Sequence, residues 1–168
     1  MKQILFLCSG NYYRSRFAEI LFNQFAEENV LEWRAESRGI VAQWSRNPGP
    51  ISQATLEGLR ARGISHNATR YPMQLTENDL TRAERIIALH ENEHRPMMEN
   101  YFARWANIIE YWNVPDLDEM RADQALALIE QHARRLTIKL KLSTEMSGQV
   151  LQSPHHPITL AQRRVSYG

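Results

Sequence analysis

The single cysteine of this 168-residue chain stands in the stretch Leu7-Cys8-Ser9-Gly10-Asn11-Tyr12-Tyr13-Arg14-Ser15, at the end of the apolar run Ile4–Cys8. A thiol attacks as its thiolate. A turn that opens a helix favours the anion through unpaired N–H groups and the helix dipole. The five residues between Cys8 and Arg14 suffice to wrap one tetrahedral oxyanion. Arg14 can fork two N–H donors onto phosphate oxygens, which a lysine ammonium does not match. Ser15 can hydrogen-bond the thiolate, and Gly10 and Asn11 are residue types that tolerate positive φ. The bare spacing Cys-x5-Arg arises easily in an arginine-rich chain, and a lone buried cysteine is commonly packing. The strand before it, the helix after it and the serine following the arginine give it weight. The candidates are therefore Cys8 as nucleophile, with Ser9, Gly10, Asn11, Tyr12, Tyr13, Arg14 and Ser15 as the phosphate-binding loop.

The elements that must position this loop follow from periodicity. Residues 3–8 form a continuous apolar run of the kind buried in a parallel sheet. Residues 14–28 carry Phe17, Ile20, Leu21 and Phe25 as a helical stripe. Further strands are expected at 32–37, 85–89 and 107–112. Helices are expected near 51–62, from Thr76 as N-cap, near 92–106, and over 118–141. Strands alternating with helices imply an α/β domain, a four-stranded parallel sheet with helices on both faces in three layers, α/β/α. This domain is expected over residues 1–142. Residues 143–168 are polar, contain two prolines and show no clean period, so they read as a C-terminal tail or arm.

A net charge of +1 gives no global electrostatic case for nucleic acid or a membrane surface. The N-terminal apolar run is too short for a signal peptide core or a membrane span. One cysteine makes neither an intramolecular disulfide nor a Cys-rich metal site. A cytoplasmic protein, monomeric or weakly dimeric, is the expectation. The sequon Asn67-Ala68-Thr69 then reads as incidental.

The pattern Cys-x-Gly-Asn-x-x-Arg-Ser after an N-terminal strand resembles the phosphate-binding loop of the low-molecular-weight protein tyrosine phosphatases. Other tyrosine phosphatase classes usually carry a histidine before the cysteine; here it is Leu7. The resemblance extends over residues 2–142. It implies a phosphocysteine intermediate on Cys8, stabilisation of the equatorial oxygens by Arg14 and the loop amides, and Asn11 holding the strained loop. It also implies that Ser37, in Ser37-Arg38-Gly39, and His66, in Ser65-His66-Asn67-Ala68, brace Asn11. A surface-loop histidine is the blander reading of His66.

A phenolate leaving group needs a proton, and a carboxylic acid on a loop at the sheet's C-terminal edge can supply it. Val114-Pro115-Asp116 matches the family's acid loop, so Asp116 is the expected acid and Asp118 its competitor. Asp118 can alternatively cap the last helix. Leu117 stands where the family has a second proline, and Asp118 and Glu119 stand near its usual tyrosines. Tyr13 replaces a second cysteine, Arg16 a proline and Tyr12 an aliphatic residue. Trp44 lies near a substrate-flanking aromatic, or is ordinary packing. The resemblance implies phosphorylated protein or small aryl phosphate substrates, and no cofactor or metal.

His90-Glu91-Asn92-Glu93-His94 also matches His-Glu-x-x-His, the zinc-protease motif. His90 closes the strand "RIIAL", and Pro96 suits the first turn of the helix that follows. The two histidines then do not share one regular helix face, and the motif reads as a decoy. The favoured function is a cysteine-dependent phosphatase of aryl phosphates. A non-catalytic phosphate or phosphoprotein binder is the second reading, and a zinc metalloprotease the remote third.

Overall fold

A computed structural model describes residues 1–66 and 68–151. Four parallel strands, β1 (Lys2–Cys8), β2 (Trp33–Gly39), β3 (Arg85–Ala88) and β4 (Glu110–Tyr111), form one sheet in the order β2-β1-β3-β4. The helices are α1 (Arg14–Glu28), α2 (Gln53–Ala61), α3 (Glu77–Arg82), α4 (Glu91–Tyr101) and α5 (Ala122–Leu151).

Alternation along β1 builds the three layers, because successive strand side chains point to opposite faces. Ile4 and Phe6 pack with Phe17, Leu21, Phe22 and Ile129 of α1 and α5. Leu5 and Leu7 pack on the other face with Leu80, Met98 and Ile40. Both sets are almost wholly buried, so truncating Phe6 to alanine would cost about 3–5 kcal/mol. The chain leaves β1 towards β2 on one side and later returns to β3 on the other. The C-terminal ends of β1 and β3 therefore flank a topological switch point, where open parallel sheets bind ligands. Cys8 ends β1 at this crevice.

Several elements differ from the sequence expectation. The fourth strand shortens to Glu110–Tyr111, because Ala103–Trp105 form a 3-10 turn and the chain only then reaches β3. Pro96 is inside α4 rather than in its first turn. Pro96 and Asn92, whose carbonyl loses its intrahelical donor, are both exposed, so water can serve that carbonyl. The last helix begins at Ala122, so Asp118 does not cap it; Asp118 lies in a turn after Asp116. That helix also runs on to Leu151, through the start of the expected arm. Residues 143–149 are exposed helix, which is why hydrophobic periodicity fades there while the helix continues. The rest of the expected arm, 152–168, and Asn67 of the sequon lie outside the described residues. No helix among the described residues is long and apolar enough to cross a membrane.

Candidate active site

The loop from Ser9 to Tyr13 turns from β1 directly into α1. Helix α1 has no side-chain cap, since Tyr13 at the N-cap position offers none. Among the described residues the amides of Ser9 to Ser15 find no acceptor, so they remain for an anion. Two glycines permit the close packing. A Cβ on Gly10 would lie 2.9 Å from Asn47 Nδ2, and one on Gly39 would lie 2.9 Å from the Asn11 backbone nitrogen. Helix α2 docks beneath: Ser52 N donates to Tyr12 O at 2.9 Å, and Thr55 Oγ1 to Tyr13 O at 3.0 Å.

Asn11 holds the turn. Its φ is 52°, in the left-handed region, and its side chain is fully buried with every polar group used. Nδ2 donates to Ser15 Oγ at 3.0 Å and Ser37 Oγ at 2.8 Å. Oδ1 accepts from Met73 N at 3.0 Å and Arg70 Nη1 at 3.1 Å. Ser37 in turn donates to Glu19, which also receives Arg70 Nη2 at 2.8 Å. Ser15 Oγ, already accepting from Asn11, lies 2.9 Å from Cys8 Sγ, so its hydroxyl proton is free to point at the sulfur.

Arg14 is almost wholly buried, and its five donors divide in two. Nη1 donates to Glu93 Oε2 at 2.9 Å and Val114 O at 3.0 Å, and Nη2 donates to Glu93 Oε1 at 3.0 Å. These contacts consume the end-on edge of the guanidinium and the outer Nη1–H. The side-on edge, Nε–H with the second Nη2–H, is left beside Asp116, whose Oδ2 lies 3.3 Å from Nη2. Cys8, Gly10, Tyr12, Arg14, Asp116 and Asp118 line one cavity of about 330 Å³. Burial and then the nearby Asp116 push the Tyr13 phenol up to about 12. Tyr12 OH donates to Pro48 O at 2.6 Å, fixing a cavity wall.

The arrangement is a thiol, an anion-binding turn, a half-free guanidinium edge and a carboxylate around one pocket. A model of the family described as low molecular weight phosphotyrosine protein phosphatase matches residues 3–146. The chain belongs to this family. It is 37% identical over 91 residues to the low molecular weight protein-tyrosine-phosphatase YfkJ of Bacillus subtilis, covering 53% of this chain and 56% of that one. It is 32% identical over 102 residues to the protein-arginine-phosphatase of the same organism, covering 61% and 64%. The matched stretches thus span less than two thirds of these relatives. The crystal structure of YfkJ superimposes with a TM-score of 0.70 at 26% identity, covering 89% of this chain and 96% of that one.

Against the family pattern, Ser37 is hydrogen-bonded to Asn11, but His66 makes no described bond to it. His66 lies with Arg16, Glu19 and Arg70 on a separate cleft, and its Nδ1 has no hydrogen-bond partner among the described residues. The described donors to Asn11 Oδ1 are Arg70 and the Met73 amide. Arg16, at the family's proline position, is buried and ties two loops to α1 by donating to Pro50 O at 3.1 Å and Arg70 O at 2.7 Å. Trp44 is 57% exposed, which excludes core packing; its ring lies 5.2 Å from that of Tyr101.

Sequence reasoning missed Glu19, Arg70 and Glu93, and met His94 only as part of the discounted zinc motif. Glu19 follows Ser15 by one helical turn, a spacing that places both on one face of α1. Arg70, Glu93 and His94 reach the loop from distant segments, and no local pattern marks that approach. Among the described residues no group of three or more histidine, cysteine, aspartate or glutamate side chains forms a metal site. His90 sits at the N-cap of α4 with φ −152° and ψ 113°, and its amide donates to His94 Nδ1 at 2.9 Å.

Proposed function

We propose that this protein is a cysteine-dependent phosphatase that hydrolyses phosphotyrosine-like aryl phosphate monoesters, on a protein or a small molecule, through a phosphocysteine intermediate. The observation that carries the reading is the side-on edge of Arg14, which Glu93 leaves open beside Asp116 and which shares a cavity with Cys8. A phosphoryl group on the loop amides would place two oxygens against Nε and Nη2, with phosphorus above the sulfur.

In the first step the Cys8 thiolate attacks phosphorus in line. The S–P bond forms as the P–O bond to the leaving group breaks, and Asp116 gives its proton to the departing oxygen. In the second step water attacks the thiophosphate, Asp116 takes its proton, and the S–P bond breaks to release inorganic phosphate and the thiolate. The Ser15 hydroxyl stabilises that departing thiolate. Most of the rate derives from donors already aimed at transition-state charge.

The test is turnover of p-nitrophenyl phosphate by wild type and Cys8→Ser, with rapid quench to trap the covalent phosphoenzyme. Turnover in wild type and none in Cys8→Ser supports the reading. Phosphate binding without turnover in wild type would instead mark a phosphate-binding protein.

A second substrate class has one observation in its favour. Asp116 and Asp118 both line the cavity and could hold a guanidinium, and one relative is named a protein-arginine-phosphatase. Parallel assays with phosphotyrosine and phosphoarginine peptides separate the two.

A further inference from the structure

The third and fourth side chains of Glu91-Asn92-Glu93-His94 face inward, and Glu93 and His94 are absorbed by neither a metal nor the reaction steps above. Glu93 reaches from the first turn of α4 to Arg14 on α1 and gives one oxygen to each terminal nitrogen, at 2.9 and 3.0 Å. Its Oε1 also accepts the Ser9 hydroxyl, and Ser9 Oγ lies 3.2 Å from His94 Nε2.

The direction of this chain follows from its first member. His94 Nδ1 accepts the His90 amide, so it carries a lone pair and the ring proton belongs on Nε2. Nε2–H then donates to Ser9 Oγ, which leaves the Ser9 proton for Glu93. The charges agree. His94 is fully buried, and burial followed by the Arg14 charge pushes it down to about 3, so it is neutral. Burial alone would raise Glu93, but the hydrogen bonds from Arg14 and Ser9 hold it at about 2, so it is ionised.

We infer that Glu93 is a positioning residue for catalysis, locked by Ser9 and His94, which occupies the end-on edge of Arg14 so that only the side-on edge can meet phosphate. The inference rests on the phosphatase reading. Without Glu93 the guanidinium has two equivalent edges and can hold the ground-state dianion in either. Only one places its donors in line with Cys8 and Asp116. Binding without transition-state alignment lowers kcat and leaves KM. Removing a negative charge from beside the anion site also favours binding of inorganic phosphate.

The experiment compares wild type, Glu93→Gln and Ser9→Ala in p-nitrophenyl phosphate kinetics, with inorganic phosphate binding by titration calorimetry. For Glu93→Gln the expectation is a kcat lower by about tenfold or more, with KM and the phosphate Kd unchanged or lower. Ser9→Ala keeps the ion pair but removes one of the two donors to Glu93 Oε1, so kcat falls by about threefold with KM unchanged. A thermal melt checks folding. If Glu93→Gln does not fold, Ser9→Ala carries the test alone. The inference is overturned if every folded variant keeps kcat within about 1.5-fold of wild type, or if phosphate binding weakens in proportion to the loss of kcat. Absence of wild-type turnover overturns the phosphatase reading itself, and this inference with it. Wild-type turnover without the kcat-against-KM split overturns this inference alone.

Discussion

Asp116 Oδ2 and Arg14 Nη2 stand 3.3 Å apart, on the guanidinium edge that Glu93 leaves free. The carboxylate therefore borders the place where a leaving oxygen would depart. Asp118, two residues on, also lines the cavity but is exposed on the turn, and no ion pair to Arg14 is described for it. Asp116→Asn is expected to lower kcat by about 100-fold or more, as general acids typically contribute. Asp118→Asn is expected to stay within about threefold. The loss in Asp116→Asn should be larger for phenyl phosphate than for p-nitrophenyl phosphate, because the poorer leaving group needs the proton more. Equal losses with both substrates would deny Asp116 the role of acid.

Arg14→Lys conserves charge and loses the fork. An ammonium cannot satisfy both Glu93 oxygens, donate to Val114 O and still offer a parallel pair of donors. We expect kcat/KM to fall by about 100-fold or more, the size of losing an aligned transition-state donor. Steady-state kinetics beside a thermal melt separate this loss from unfolding. A fall below about tenfold would mean that charge alone suffices.

The parts of this site that were legible in the sequence are those built from contiguous chain. Strand β1, the turn and helix α1 sit side by side in sequence, so apolar run, Gly-Asn and helical stripe announce them together. The parallel three-layer sheet followed from alternation alone, and Phe6 and Leu7 do face opposite cores. What was illegible depends on tertiary approach. Arg70 lies 59 positions from Asn11, and Glu93 lies 79 from Arg14. His90 and His94 looked like ligands because spacing fixes a helix face only if both residues are helical, and His90 is extended. The last helix misled in the opposite sense: residues 143–149 remain helical with no apolar side to reveal it.

Bracing of the turn gives a contrast between two residues. Arg70 donates to Asn11 Oδ1, Ser37 Oγ and Glu19, whereas His66 stands on the neighbouring cleft. Arg70→Ala leaves Asn11 with one fewer donor at a positive φ and Glu19 without its nearer cation, with only Arg16 Nε at 3.8 Å remaining. We expect a stability loss of about 1–3 kcal/mol in urea unfolding and a fall in kcat. His66→Ala should change stability by about 0.5 kcal/mol or less. The opposite ranking would return the bracing role to His66.

Acid lability offers a test of the buried histidine that needs no substrate. His94 titrates at about 3 in the folded chain against an ordinary 6.5, because burial and Arg14 oppose its charge. Between those values the unfolded chain binds a proton that the folded chain does not, so stability rises with pH across the window. Falling pH removes about 1.4 kcal/mol per unit from this one group, beginning near pH 6.5. Glu93, held at about 2 against 4.5, adds the same sign lower down. His94→Gln keeps an acceptor for the His90 amide and a donor for Ser9 but cannot titrate. Urea unfolding at pH 5.0, 6.0 and 7.0 should therefore show a shallower pH dependence in His94→Gln than in wild type, by up to about 1.4 kcal/mol per unit below pH 6. Parallel slopes in the two proteins would mean that His94 accepts its proton without unfolding, and the neutral ring assigned beneath Ser9 would be wrong.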